Sequence, residues 1–165
     1  MNYYRYKKKS LPNKARGLSV VAWLIIINVI IYLLLLILNI SLGSQFVEEI
    51  TLKYFALTPS LILQGKSLIS IILHMFTHIY FWHLLINMFV LYSIGGLCEK
   101  IIGRKRFLRF YLAAGIFAAL LTIFLSGFFG NSELGAIIFG SPGVPAVGAS
   151  GAIFAVLGTL AVLRP

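Results

Sequence analysis

The sequence predicts an all-α protein, a polytopic bundle of transmembrane helices. Two observations carry that expectation. Of 165 residues, 60% are hydrophobic and only 11% are charged, where an ordinary soluble domain has about 25% charged residues. The few charges also leave long gaps at Gly17–Val47, Ser67–Cys98, Phe110–Ser132 and Leu134–Leu163. Each gap can hold a spanning helix of roughly 17–25 apolar residues. Such a helix satisfies its own backbone hydrogen bonds, which lipid cannot do.

The distribution of basic residues gives the orientation. Arg5, Lys7, Lys8, Lys9, Lys14 and Arg16 precede the first apolar segment, and Lys100, Arg104, Lys105, Arg106 and Arg109 separate the second from the third. Lys53 and Lys66 lie between the first and second, offset by Glu48 and Glu49, and Arg164 follows the fourth. This alternation follows the positive-inside pattern. It predicts a multi-pass protein of the plasma (inner) membrane with a cytoplasmic N-terminus, and residues 41–66 and 129–147 on the outer side. The net charge of +10 therefore reads as membrane orientation, and no nucleic-acid partner is expected.

Residues 1–17 form a basic arm suited to anionic headgroups, and residues 18–165 form the membrane domain. Span one is expected over Leu18–Ile40, with Asn28 and Asn39 as its main polar interruptions, a buried Asn in a span reading as helix–helix glue rather than chemistry. Residues 41–66 make a long loop. Its stretch Phe46–Leu63 is too apolar for solvent and reads as short interfacial helices, broken by Pro59. Span two is expected over Leu68–Cys98, closed by Gly95-Gly96, and contains His74, His78, His83 and Asn87. Span three follows over Phe107–Phe128. Residues 129–147 are rich in Gly, Ser and Pro, with Pro142 and Pro145 blocking a long helix. Span four runs from about Gly148 to Leu163.

Depth can be counted along these helices at 1.5 Å per residue. Ser150 lies 14 residues from Arg164, about 21 Å. Asn87 and His83 lie 12 and 16 residues from Glu99, about 18 and 24 Å. Three polar groups on two spans thus fall at one level, and His83 and Asn87 share a helical face as i and i+4. Ser150 sits in Gly148-Ala149-Ser150-Gly151 at a helix start, where free N–H groups and the helix dipole favour developing negative charge. That suits a nucleophile whose attack creates an oxyanion. The same residues also fit a close-packing motif, with Gly151, Ala155 and Thr159 on one small-residue face. A Gly/Pro-rich re-entry fits a transporter's broken helix.

His83-Leu84-Leu85-Ile86-Asn87, followed by Gly148-Ala149-Ser150-Gly151, resembles the rhomboid family of intramembrane serine proteases. So do His78-Ile79-Tyr80-Phe81-Trp82-His83, Gly95-Gly96-Leu97-Cys98-Glu99 with Gly103 beyond it, and Gly151-Ala152-Ile153-Phe154-Ala155-Val156-Leu157-Gly158. The resemblance covers about residues 18–165. It implies a six-helix core of which this chain supplies the first four. It makes Ser150 the catalytic nucleophile and His83 and Asn87 the oxyanion-stabilising residues, together with the Ser150 N–H. Phe154 falls where the family packs an aromatic on the catalytic histidine, and residues 41–66 become a half-embedded loop beside the site. The family's general base is a histidine on the sixth helix, expected downstream of Pro165. The chain as given is therefore expected to show little or no turnover.

The leading expectation is a Ser–His dyad endopeptidase cutting transmembrane protein substrates within the bilayer. The alternative is a catalytically inactive rhomboid-like protein that binds transmembrane helices. No cofactor is expected, and no metal, since Cys98 is the sole cysteine and Glu48, Glu49, Glu99 and Glu133 are scattered. The DNA beyond codon 165 separates the two readings: two further spans, the last carrying a histidine, favour the protease.

Overall fold

The computed structural model describes residues 17–163. Residues 1–16 of the basic arm and Arg164, the reference point for span four, lie outside the described residues. Helix α1 runs Val20–Leu42. A 22-residue helix, Phe81–Ile102, and a 26-residue helix, Arg104–Phe129, share its length and apolar character. These three are long and apolar enough to cross a membrane. The last helix, Ser150–Leu163, is apolar but has only 14 residues, about 21 Å. The protein is an integral membrane helical bundle.

Between the long helices lie short ones. Helix α2 (Ser44–Ile50) continues as a π-helical turn over Thr51–Phe55, and α3 is Pro59–Leu63. The apolar loop thus does contain short helices. The chain breaks at Ala56–Thr58, and Pro59 opens α3 at its first turn, where its missing N–H costs nothing. Helix α4 is Ser70–Leu73 with a 3₁₀ turn over His74–Phe76. The long helices Phe81–Ile102 and Arg104–Phe129 are α5 and α6, the latter followed by α7 (Glu133–Phe139) and α8 (Ser150–Leu163).

Span two differs from expectation at both ends. It starts at Phe81, so His74 and His78 precede it. Thr77 and Tyr80 adopt extended backbone, consistent with the β-branched Thr77 and Ile79, which lose rotamer freedom in helices. The His74 carbonyl, which would accept from residue 78 in a continuous helix, instead accepts from the Thr77 and Gly148 N–H groups at 3.2 and 2.8 Å. At the other end Gly95-Gly96 does not close the helix. A π-helical turn spans Leu91–Gly95 and the helix runs on to Gly103, whose φ of 86° ends it. Gly95 instead permits packing: a Cβ there would lie 2.8 Å from Leu91 Cδ1 and 3.3 Å from Val21 Cγ2.

The core lies where α1, α5, α6 and α8 meet, around Leu24, Met88, Leu91, Phe107, Tyr111, Ala152 and Val156. Outward-facing Ile30, Leu34, Ile37, Phe117, Leu120 and Phe124 are exposed, as suits a lipid-facing surface. Helices α6 and α8 pack closely at small residues: a Cβ on Gly151 would sit 2.7 Å from the Ala118 Cβ. Asn28 is fully buried, but its amide donates to the Leu24 carbonyl in its own helix at 2.8 Å. It does not bridge helices.

The start of α1 is closed by side chains. The first N–H groups of a helix have no intrahelical partner. Here Val20 and Val21 donate to the two Glu99 carboxylate oxygens at 3.0 and 2.9 Å, and Ala22 donates to Ser19 Oγ at 3.0 Å. Arg104 adds an ion pair to Glu99 at 3.6 Å and donates to the Gly17 carbonyl at 2.7 Å. The buried Glu99 thus ties α1 to the α5–α6 junction. Glu99→Ala is expected to destabilise the bundle by about 3 kcal/mol, since it orphans two charge-assisted donors. Thermal unfolding in detergent measures it, and an unchanged midpoint would contradict the role given to Glu99.

Candidate active site

Two helix starts form the site. Ser150 is the first residue of α8, and His83 lies in the first turn of α5. The Ile153 N–H donates to the Ala149 carbonyl at 3.0 Å, so Ser150, Gly151 and Ala152 present the N–H groups that lack intrahelical partners. Ser150 itself is half-buried.

The segment before Ser150 is fixed by backbone clips. Leu57 and Ala146 exchange N–H···O bonds of 2.8 and 2.9 Å, the Ser60 N–H donates to the Pro142 carbonyl at 2.9 Å, and the Gly148 N–H donates to the His74 carbonyl at 2.8 Å. Pro142 and Pro145 keep this stretch from continuing as helix, and Gly140 and Gly148 take positive φ of 81° and 119°. Helix α8 consequently begins at Ser150.

His83 meets this turn directly. A Cβ on Gly148 would lie 2.7 Å from His83 Cε1 and 2.8 Å from His83 Nε2. Only a glycine lets the ring approach so closely two residues ahead of the serine. The structure thus brings His83 to the turn that carries Ser150. Asn87, one helical turn beyond His83, is buried, and its Nδ2 donates to the His83 carbonyl at 2.9 Å. Its amide is engaged along its own helix. Phe154, one turn after Ser150, points outward and is 72% exposed.

His78, part of the motif that leads into α5, has no chemical role assigned by its spacing. In a continuous helix His78 and His83, five residues apart, would face directions about 140° apart. The break at Thr77–Tyr80 folds the His78 ring back against His83, with centroids 4.9 Å apart and an edge-on contact. His78 is 2% exposed and neither ring nitrogen has a hydrogen-bond partner among the described residues. His74 is committed elsewhere, its Nδ1 pairing with the Ser70 carbonyl at 2.9 Å. Among the described residues no cluster of three potential metal ligands occurs.

Comparison with known proteins gives this arrangement its context. Residues 65–165 match the Rhomboid domain. The chain is 35% identical over 131 residues to Rhomboid protease GluP of Bacillus subtilis, covering 78% of this chain and 22% of that protein. It is 34% identical over 99 residues to Rhomboid protein 1, mitochondrial, of Saccharomyces cerevisiae, covering 60% and 26%. It is 30% identical over 119 residues to Presenilin-associated rhomboid-like protein, mitochondrial, of Homo sapiens, covering 72% and 27%. The matched stretch amounts to about a quarter of the length of each relative. With a domain match over more than half its length, laid on a helical membrane bundle, the chain belongs to the rhomboid family.

Proposed function

We propose that this rhomboid-family chain carries the nucleophile and the oxyanion site of an intramembrane serine endopeptidase. Ser150 Oγ attacks a peptide carbonyl of a transmembrane protein substrate. Its proton passes to a base histidine, which the family resemblance places beyond Pro165. The tetrahedral oxyanion accepts hydrogen bonds from the Ser150 N–H, from His83, and from Asn87 after its amide turns away from the His83 carbonyl. Collapse expels the amine, which takes the proton from that histidine, and leaves an acyl-serine that water hydrolyses to regenerate the Ser150 hydroxyl. The observation that most supports this is the His83 ring seated against Gly148, two residues from a serine at a helix N-terminus.

The charge pattern supports a cytoplasmic N-terminus in an inner membrane, with the site toward the outer side. In the full-length protein, a serine-directed fluorophosphonate is expected to label Ser150, with labelling lost in Ser150→Ala. Labelling that survives this substitution would refute the assignment. Asn87→Ala is expected to lower kcat by about 10²–10³ with little change in KM, as for a lost oxyanion donor. A rise in KM with kcat unchanged would point to substrate binding instead.

A second reading is a rhomboid-like protein that holds transmembrane helices without cutting them. The family resemblance gives neither His74 nor His78 the place of the base, so the base is not among the three histidines of residues 74–83 if His83 serves the oxyanion. Retained capture of a substrate helix with neither labelling nor cleavage would favour this reading.

A further inference from the structure

At the Glu99 end of α5, about 24 Å along the helix from His83, lies a cavity of about 510 Å³. It is walled by the start of α1, the last turns of α5 and the first residue of α6. Small residues open it: Ala22 and Gly96 both line it, and a Cβ on Gly96 would meet nothing within 4 Å. The polar and apolar parts of the lining are separated. Lys100 and Arg104 stand exposed at one end, next to the Ser19 cap of α1. Leu97 and Tyr92 are exposed along the α5 wall, one and two turns further on.

The charges here do not cancel. Glu99 is buried, and its carboxylate already accepts from the Val20 and Val21 N–H groups and faces Arg104. Lys100 has no ion pair among the described residues, so one carboxylate against two cations leaves a net positive charge. Arg104 uses Nε toward Glu99 and Nη2 toward the Gly17 carbonyl. A guanidinium has five N–H donors, so others remain for a ligand. Ser19 Oγ accepts from the Ala22 N–H, which leaves its hydroxyl proton to donate. These are donors suited to phosphate oxygens, and a singly charged phosphodiester matches the net charge. A soluble phosphate would leave Leu97 and Tyr92 uncovered, whereas the glycerol and first acyl carbons of a lipid would cover them. A choline headgroup would set a further cation beside Lys100 and Arg104.

We propose that this cavity binds one anionic phospholipid. Lys100, Arg104 and Ser19 hold its phosphodiester, and its acyl chains leave along Leu97 and Tyr92. The charge pattern that puts the N-terminus in the cytoplasm makes the inner leaflet its source. The bound lipid braces the start of α1 against the α5–α6 junction, and it takes no part in the chemistry at Ser150.

Native mass spectrometry of the full-length protein tests this, in neutral detergent with equal amounts of phosphatidylglycerol and phosphatidylcholine. At an ionic strength that screens exposed charges, one phosphatidylglycerol is expected to stay bound. Its preference over phosphatidylcholine is expected to be about tenfold, the scale of one charge-assisted hydrogen bond. Lys100→Gln, at an exposed position, is expected to abolish that preference. Gly96→Leu, which fills the cavity, is expected to abolish it with the melting midpoint retained. Lys105→Gln, exposed on α6 outside the cavity, is expected to keep it within about twofold, as is deletion of residues 1–16. Equal losses in Lys100→Gln and Lys105→Gln would reveal diffuse attraction to a basic surface and overturn the proposal. Loss on deleting residues 1–16 would move the binding to the basic arm and overturn it too. A preference that survives in Gly96→Leu would take the lipid out of the cavity. Displacement by glycerophosphoglycerol, the headgroup without acyl chains, would make the ligand a soluble phosphodiester and overturn the lipid assignment.

Discussion

In the full-length protein, Ser150→Ala is expected to lower kcat by about 10⁶-fold, the scale seen when a serine nucleophile is deleted, while leaving the fold intact. The two halves of that expectation have separate causes. Catalysis is lost because no other hydroxyl opens α8: the next on this helix is Thr159, whose Oγ1 donates to the Ala155 carbonyl at 3.0 Å. The fold is retained because Ser150 is only half-buried and alanine is a better helix former than serine. The backbone clips that set the start of α8 run through Ala146, Pro142 and Gly148 and do not use the serine side chain. Single-turnover cleavage of a fluorogenic transmembrane substrate in liposomes, run beside thermal unfolding, measures both. Turnover within tenfold of the parent would end the assignment of Ser150 as nucleophile. A collapse of thermal stability would instead show that the hydroxyl serves the fold.

The bundle was legible because its signals are long and additive. Charge-free gaps set the helical segments α1, α5, α6 and α8, and no single residue decides them. The apolar stretch at Phe46–Leu63 was likewise readable as short helices. What escaped the sequence was local and cooperative. The break at Thr77–Tyr80 interrupts an apolar run that looks continuous, and it depends on a hydrogen bond from Gly148, more than seventy residues away. Gly95-Gly96 reads as a stop, yet those glycines lie inside the helix where Val21 and Leu91 press against Gly95. Asn28 invited an interhelical role that its bond to Leu24 does not support. Helix α7 was hidden in a Gly-rich loop, where Ser132 Oγ accepts the Gly135 N–H at 3.1 Å and starts a helix of seven residues. For the candidate site, the sequence offered Ser150, His83 and Asn87 by motif and depth. It could not show what His78 touches, because a side chain's neighbours across a break in a helix are set by tertiary packing and not by spacing.

In the full-length protein, Gly148→Ala is expected to lower kcat by about 10²–10³, the cost of a lost oxyanion donor, although residue 148 carries no chemistry. Gly148 has a φ of 119°, a region in which L residues are strained by sterics of their own Cβ. The added methyl would also lie 2.7 Å from His83 Cε1 and 2.8 Å from Nε2, well inside van der Waals contact. Either the His83 ring swings away or the turn before Ser150 shifts, and both separate the oxyanion donor from the nucleophile. Gly43→Ala separates the strain from the clash. Gly43 has a φ of 90°, and a Cβ there would have no neighbour within 4 Å, so it carries the backbone strain alone. Gly43→Ala is therefore expected to lose stability by about 1–2 kcal/mol with kcat nearly unchanged. Thermal unfolding and single-turnover kinetics on the two variants decide the matter. A Gly148→Ala protein that melts like Gly43→Ala yet cleaves at the parental rate would show that the His83 ring is not needed beside this turn, and the oxyanion role proposed for it would fall.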